Sequence, residues 1–401
     1  MRYFKVILVI GVLVVLAVLL PQCFHKQRSI GADPRGERYA GAGTCIRCHQ
    51  EIAGSYAHNH HYQTSSAINN SRPPIKMAPS GGRFYFLDSS YIRVESNGPS
   101  LSQIYFVNGR PDLSGRFDIA FGSGEKAQTY GYWKEGKLYQ LPLTYFGGMN
   151  NGWANSPGFP AGHARYNRII ESRCFECHAS YVHAATVQSG PLSVSENLDP
   201  GSIVYGVDCE RCHGPALQHV KFHEDNPSVT TAKYIVSIRS LSRQRQLDLC
   251  AVCHSGNDQS RQRSLFAFTP GDTLSHFYYP DFGANNGEPD VHGKQLQLLQ
   301  TSKCYQMTTM TCTTCHDAHG PEENKIARFI STCMDCHQHS AHAAAILKDN
   351  EQKKRDFNLV GVNCIDCHMP LQISKTIHFN NGLKNTPYFI RTHKISIYKS
   401  Q

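Results

Sequence analysis

The chain has 401 residues, 40% of them hydrophobic, with a mean hydropathy of −0.40, so aliphatic side chains are too few to fill two ordinary domain cores. Its formal charge of +9 comes from 40 Lys and Arg against 31 Asp and Glu, but the basic residues are scattered without a stripe, which argues against nucleic-acid binding. Sixteen Cys and 22 His stand far above an ordinary composition and point to metal or cofactor chemistry.

Residues 1–22 read as a signal or membrane anchor. Arg2 and Lys5 give a positive start, Val6–Leu20 is an unbroken apolar run, and Pro21-Gln22-Cys23 follows. Three fates are open: a retained anchor, a lipid anchor on Cys23 (Leu20-Pro-Gln-Cys23 is a loose lipoprotein box), or cleavage. Each puts the body of the protein outside the cytoplasmic membrane, in the periplasm. Residues 23–40 form a polar linker, and residues 41–78 a first segment around Cys45.

Residues 79–150 read as a β-rich insertion. Arg83–Leu87, Tyr91–Glu95 and Gln103–Val107 are short aromatic or β-branched runs, and Lys134-Glu-Gly-Lys137 between Thr129–Trp133 and Leu138–Pro142 reads as a hairpin turn. Residues 151–260 carry three Cys motifs. Residues 261–300 are a loop-rich connector with a helix predicted over Gln295–Thr301. Residues 301–401 carry three more motifs and a tail.

Fourteen of the sixteen Cys fall in one pattern, Cys-x-x-Cys-His. The seven copies are Cys45, Cys48 and His49; Cys174, Cys177 and His178; Cys209, Cys212 and His213; Cys250, Cys253 and His254; Cys312, Cys315 and His316; Cys333, Cys336 and His337; and Cys364, Cys367 and His368. This is the signature of c-type haem attachment. Positions i and i+3 share a helix face, so both sulfurs reach the two vinyl groups of one porphyrin. The following His can bind the iron. Zinc would need a second ligand pair and no His after each one, and disulfides need no His at all. The expectation is therefore seven covalently bound haem c groups, each containing iron. Each ferric haem with two propionates brings about −1, so the net charge of the oxidised holoprotein falls to about +2.

This implies a multihaem cytochrome c fold: mostly short α-helices and loops around a stacked haem core, with a small antiparallel β insertion. Fifteen His remain beyond the motifs, enough for every iron to take a second imidazole and close to substrates. The distal candidates are His61 (with His58 behind it), His163 against His183, His219, His292, His319, His342 against His339, and His393. His223, His276 and His378 read as surface or propionate-contacting residues. Cys304 is either a buried free thiol or a sulfur at or near a haem.

Cys209-Glu-Arg-Cys-His213-Gly-Pro with His219, Cys312-Thr-Thr-Cys-His316-Asp-Ala-His319-Gly, Cys364-Ile-Asp-Cys-His368-Met-Pro and Phe121-Gly-Ser-Gly followed by Leu138–Phe146 resemble the cytochrome c-552/c-554-like multihaem family from about Gly41 to His393. The resemblance implies bis-His haems stacked in a wire, a periplasmic location and a role as electron carrier. The chain departs from it in having seven motifs rather than four, and in Cys304 where the pattern Ser-x-His would place a distal ligand. No Cys-x-x-Cys-Lys motif occurs.

The function expected is thus electron transfer rather than enzymatic turnover. Partners would be other redox proteins, such as a quinol-oxidising complex, a terminal reductase or another cytochrome, with the cytoplasmic membrane reached through the N-terminus. The alternative is a multihaem oxidoreductase acting on a small nitrogen or sulfur compound at one open haem.

Overall fold

Two short helices, α1 (Ala42–Cys45) and α2 (Gln50–Tyr56), bracket the first motif, and His49 breaks the helix between them with φ −111° and ψ 48°. The computed structural model describes residues 33–69, 82–97, 100–147, 152–191, 193–256, 258–279, 288–320, 325–337, 363–380 and 385–398. The N-terminal apolar run and His342 with its rival His339 lie outside them. Among the described residues no helix is long and apolar enough to cross a membrane.

Two antiparallel sheets follow. The strands, in chain order, are β1 (Ser65–Ala67), β2 (Arg83–Tyr85), β3 (Tyr91–Asn97), β4 (Ser100–Val107), β5 (Arg110–Arg116), β6 (Ile119–Phe121), β7 (Ala127–Lys134), β8 (Lys137–Gln140), β9 (Leu143–Phe146) and β10 (Trp153–Asn155). One sheet runs β1-β6-β7-β9-β10 with β8 paired to β7; the other runs β2-β3-β4-β5. Asn108-Gly109 and Glu135-Gly136 both take positive φ (51° and 75° in each), the backbone that a two-residue hairpin with right-handed strand twist demands. The second is the turn expected at Lys134–Lys137.

The sheets bury a protein core of their own. Phe84, Ile92, Tyr105, Phe117, Tyr130, Tyr132, Leu141 and Trp153 meet there, each contributing about 1.5–3 kcal/mol by leaving water. Gln103 of β4 is fully buried and clips the sheets together: its amide donates to Leu143 O at 3.0 Å and accepts from Leu143 N at 2.9 Å. The expected absence of a separate apolar core is thus corrected for this region.

The β content is also larger than a small insertion. The β-rich region runs from Ser65 to Asn155, and further pairs form beyond it. Helix α3 (Ser172–His178) carries the second motif and leads into β11 (Ala179–Tyr181). β12 (Ala184–Gly190) and β13 (Ser193–Leu198) form a hairpin, and β14 (Val204–Tyr205) returns to pair with β11. Strands cover more of the described chain than α-helices do. β5 escaped notice because Arg110-Pro-Asp-Leu-Ser-Gly-Arg116 is an exposed edge strand, where Pro and polar residues are tolerated.

The remaining helices are short: α4 (Cys209–His213), α5 (Leu217–Asp225), α6 (Arg243–His254), α7 (Gln295–Gln300), α8 (Lys303–Met307), α9 (Cys312–Cys315), α10 (Lys325–His337) and α11 (Cys364–His368). The helix expected at 295–301 is α7. A final hairpin joins β15 (Leu371–Asn380) to β16 (Asn385–Arg391). Helices α1, α5, α9 and α10 contain no buried residue. The 13-residue amphipathic helix α10 leaves Ile326 47% exposed, while its Phe329 ring meets His316 at 5.4 Å.

Candidate functional site

All seven Cys motifs lie on helical turns, and side-chain caps start several of them. Asp208 accepts the Arg211 N–H at 2.9 Å to start α4, Asn363 accepts Ile365 N to start α11, and Thr311 and Thr314 form a capping box on α9. Each cap places two Cys three residues apart on one face. Among the described residues every Cys is outside a disulfide.

The thiols of different motifs meet. Cys45 neighbours Cys209, Cys177 neighbours Cys253, Cys250 neighbours Cys312, and Cys333 neighbours Cys364. Cys212 also lies within electrostatic reach of Cys253, and Cys333 within reach of Cys315. Numbering the motifs in chain order, the neighbours run 1–3–4–5–6–7, with 2 attached to 4. Cys304 of α8 influences both Cys315 and Cys333, which puts it between motifs 5 and 6.

No group of three or more His, Cys, Asp or Glu gathers around one ion among the described residues; the histidines come in twos. His49 faces His219 with ring centroids 6.4 Å apart, His213 faces His319 at 5.9 Å, His254 faces His61 at 6.0 Å, and His316 faces His393 at 6.2 Å. Each pair joins a motif His to one of the expected distal His. An iron bound by an imidazole nitrogen on each side, at about 2 Å per bond, sets ring centroids roughly 6.3 Å apart. The four separations fit that requirement.

Hydrogen bonds at the other ring nitrogen support the same reading. Nδ1 of His213 lies 3.0 Å from Val236 O, that of His219 2.7 Å from Lys233 O, and that of His368 2.9 Å from Ser396 O. A carbonyl only accepts, so each Nδ1 carries the proton and Nε2 keeps a lone pair for a metal. His178 Nδ1 lies 3.1 Å from Thr64 Oγ1, and His61 Nδ1 3.1 Å from Asn59 Oδ1. Burial lowers the pKa of His178, His213 and His292, and pushes His254 and His393 down to about 4. All five are neutral, metal-competent bases at pH 7.

The histidines that face the motif His are held by segments distant in sequence. Ser55 Oγ donates to His319 O and the Asn59 amide to Gly320 O at 2.7 Å, pinning that loop on the end of α2. Val207 N donates to His61 O, and at Gly206 (φ 67°) any Cβ would overlap the Tyr62 carbonyl, so only glycine allows the approach. The fully buried Ser302 accepts from Ile395 N at 2.8 Å and fixes the tail bearing His393.

The other expected positions fare differently. His292 lies within electrostatic reach of His178, the second motif's ligand candidate. His163 is exposed on the loop after β10, and its rival His183 is exposed too; neither is brought to a motif His by any ring contact among the described residues. His58 is exposed and His60 is ion-paired with Glu125, which leaves His61 as the member of that cluster facing a motif.

Beside motif 3 sits a buried charge cluster that the sequence reading missed. Arg35 bonds Asp33 Oδ2 at 2.9 Å, Asp208 Oδ2 at 2.7 Å and Glu210 Oε2 at 3.0 Å, and all four side chains are nearly inaccessible. Glu210 also accepts from Ala40 N, Gly41 N and Ala216 N. These bonds fasten the start of the described chain to α4. Nothing in the local pattern around Arg35 signals it.

Three similarities bear on this arrangement. The family described as Cytochrome c554 and c-prime matches residues 161–214, the stretch carrying the second and third motifs. The "Multiheme cytochrome MtrA" of Shewanella baltica (strain OS185) is 27% identical over 204 residues, 49% of this chain and 51% of that one. The chain thus spans about half the length of this relative. The crystal structure of Outer Cell Wall Cytochrome OcwA overlays with a TM-score of 0.49 at 15% identity, covering 90% of this chain and 80% of the other.

Proposed function

We propose that the chain is a multihaem c-type cytochrome that conducts electrons along seven covalently attached haem c groups between redox partners outside the cytoplasm. The observation that carries this is the set of four imidazole pairs at 5.9–6.4 Å, each joining a motif His to a distal His from elsewhere in the chain. Each haem, when bound, supplies a one-electron ferric–ferrous couple.

The chain's own residues do the rest. Paired Cys hold the macrocycle through thioethers. The Nδ1 acceptors fix each ring's tautomer and orientation, which preserves ligand geometry through a redox change. Two imidazoles per iron leave no open position, which favours conduction over turnover. Motif contacts support an electron path ordered 1–3–4–5–6–7, with motif 2 joining at motif 4. The apolar run at residues 6–20 supports export and membrane attachment, which fits partners such as a quinol-oxidising complex, a terminal reductase or another cytochrome.

Electron paramagnetic resonance on the oxidised holoprotein, with intact mass, tests this. A mass gain of seven haems, low-spin iron throughout and no cyanide or nitric oxide binding are expected. A high-spin signal accompanied by turnover of nitrite or hydroxylamine would replace the carrier with an enzyme.

A further inference from the structure

His223 sits one helical turn beyond His219 on α5, and their rings lie 4.6 Å apart. Both are tethered in the same way. His219 Nδ1 lies 2.7 Å from Lys233 O and His223 Nδ1 3.0 Å from Val229 O, both carbonyls in the segment that follows the helix. Each Nδ1 therefore carries the hydrogen and each Nε2 the lone pair. In His219 that lone pair belongs to the ring facing His49. In His223 the Nε2 is buried and makes no hydrogen bond among the described residues, while Phe222 closes on the ring edge-on at 5.2 Å.

A buried acceptor without a partner needs a reason. A haem propionate does not supply one, because it is itself an acceptor and would pair with this nitrogen only if the ring took up a second proton. A metal does. Helix α5 is held at its start, where Leu217 N donates to Arg38 O, and by the two imidazole tethers; none of its nine residues is buried, and its ion pair, Arg47 with Glu224, is exposed. A shift of one turn, about 5.4 Å, carries His223 to the place of His219.

Building on the haem reading above, we infer that the haem at Cys45 and Cys48 has a reserve distal ligand, His223, which exchanges with His219. The exchange breaks one iron–Nε2 bond and forms another. One Nε2 lone pair replaces another at the iron, so no electron is added or lost. The two ligated forms differ in imidazole orientation and solvent exposure, so the site has two potentials rather than one.

The test uses purified holoprotein. His219→Ala is expected to keep its full haem complement by intact mass and to remain low-spin at every iron, because His223 takes the vacant position. The double variant His219→Ala/His223→Ala is expected to show one high-spin haem that binds carbon monoxide on reduction. Should His219→Ala fail to mature, His219→Gln keeps the bulk and the bond to Lys233 and reads the same signal. A high-spin haem in the single variant equal to that of the double, or no high-spin haem in the double, overturns the inference. A wild-type mass short of seven haems sinks the haem reading instead, so the two failures are distinct.

Discussion

At the scale of single residues, ring orientation carries information that pairing does not. Three of the four imidazole pairs are close to parallel, with interplanar angles of 6°, 16° and 26°, but His61 and His254 stand at 83°. The difference follows from anchoring. His61 is tied by its own Nδ1 and N–H to Asn59 two residues before it, so the loop rather than the partner sets its plane. Near-perpendicular axial imidazoles give ferric iron a strongly anisotropic low-spin resonance, and parallel ones a rhombic resonance. The oxidised protein should show both, and His61→Ala should remove the anisotropic signal while leaving the rhombic ones. Loss of a rhombic signal would mean that His61 serves another iron. By the same logic His393→Ala should turn one haem high-spin and open it to carbon monoxide.

At the scale of elements, the motif helices are too short to stand alone and depend on charges and caps. Helix α4 rests on Asp208, which both caps it and pairs with Arg35. Arg35→Ala leaves Asp33, Asp208 and Glu210 buried without their cation and should cost about 3–5 kcal/mol in denaturant unfolding. Asp208→Asn keeps the cap and loses only charge, so it should cost less than Asp208→Ala. Equal losses would show the cap to be unimportant.

Helix α10 is held at its start by Lys325, 3.0 Å from Glu125, which also pairs with His60. Burial pushes the Glu125 carboxyl up, but Lys325, His60 and Lys126 outweigh it and hold it below the ordinary 4.5. A lowered folded-state pKa stabilises above the ordinary value, and that contribution is lost as pH falls through the folded value. Hydrogen exchange of α10 should therefore accelerate below about pH 4.5, and Glu125→Gln should remove that acid-dependent step. An unchanged step in the variant would assign it to another carboxyl.

At the scale of the whole molecule, the two parts of the chain stand on different physics. The sheets close over their own aromatic core, whereas the motif helices present half-buried thiols and paired imidazoles with few buried apolar residues. Without haem attachment, hydrogen exchange should stay slow in β3, β4 and β7 and become fast in α9 to α11. Uniform loss of protection would mean that the sheets also depend on the cofactor. The motif order makes motif 4 the junction of three neighbours. Removing its attachment by Cys250→Ser/Cys253→Ser should lower the mass by one haem and split reduction kinetics into separate phases for motifs 1 and 3, motif 2, and motifs 5–7. A single phase would refute the order.

The reach of the sequence follows from the range of the interactions involved. A Cys-x-x-Cys-His motif lies within five residues, so all seven copies are legible in the sequence, as is the Glu135-Gly136 turn, which depends on the φ of two adjacent residues. Amphipathic runs showed β3, β4 and β7. The polar edge strand β5 and the three-residue strands β1, β6 and β10 did not announce themselves, because pairing to a neighbour and not local pattern makes them strands. The distal side was half legible: His219 and His319 stood beside a motif, but the sequence could not say that they face His49 and His213. The pairings join residues 77 to 193 positions apart, Arg35 reaches Asp208 173 positions on, and neighbouring motifs lie 18 to 164 positions apart; all of these exist only once the chain has folded. Chemistry confined to one helical turn was settled by the sequence; which turns face one another was decided by the tertiary structure.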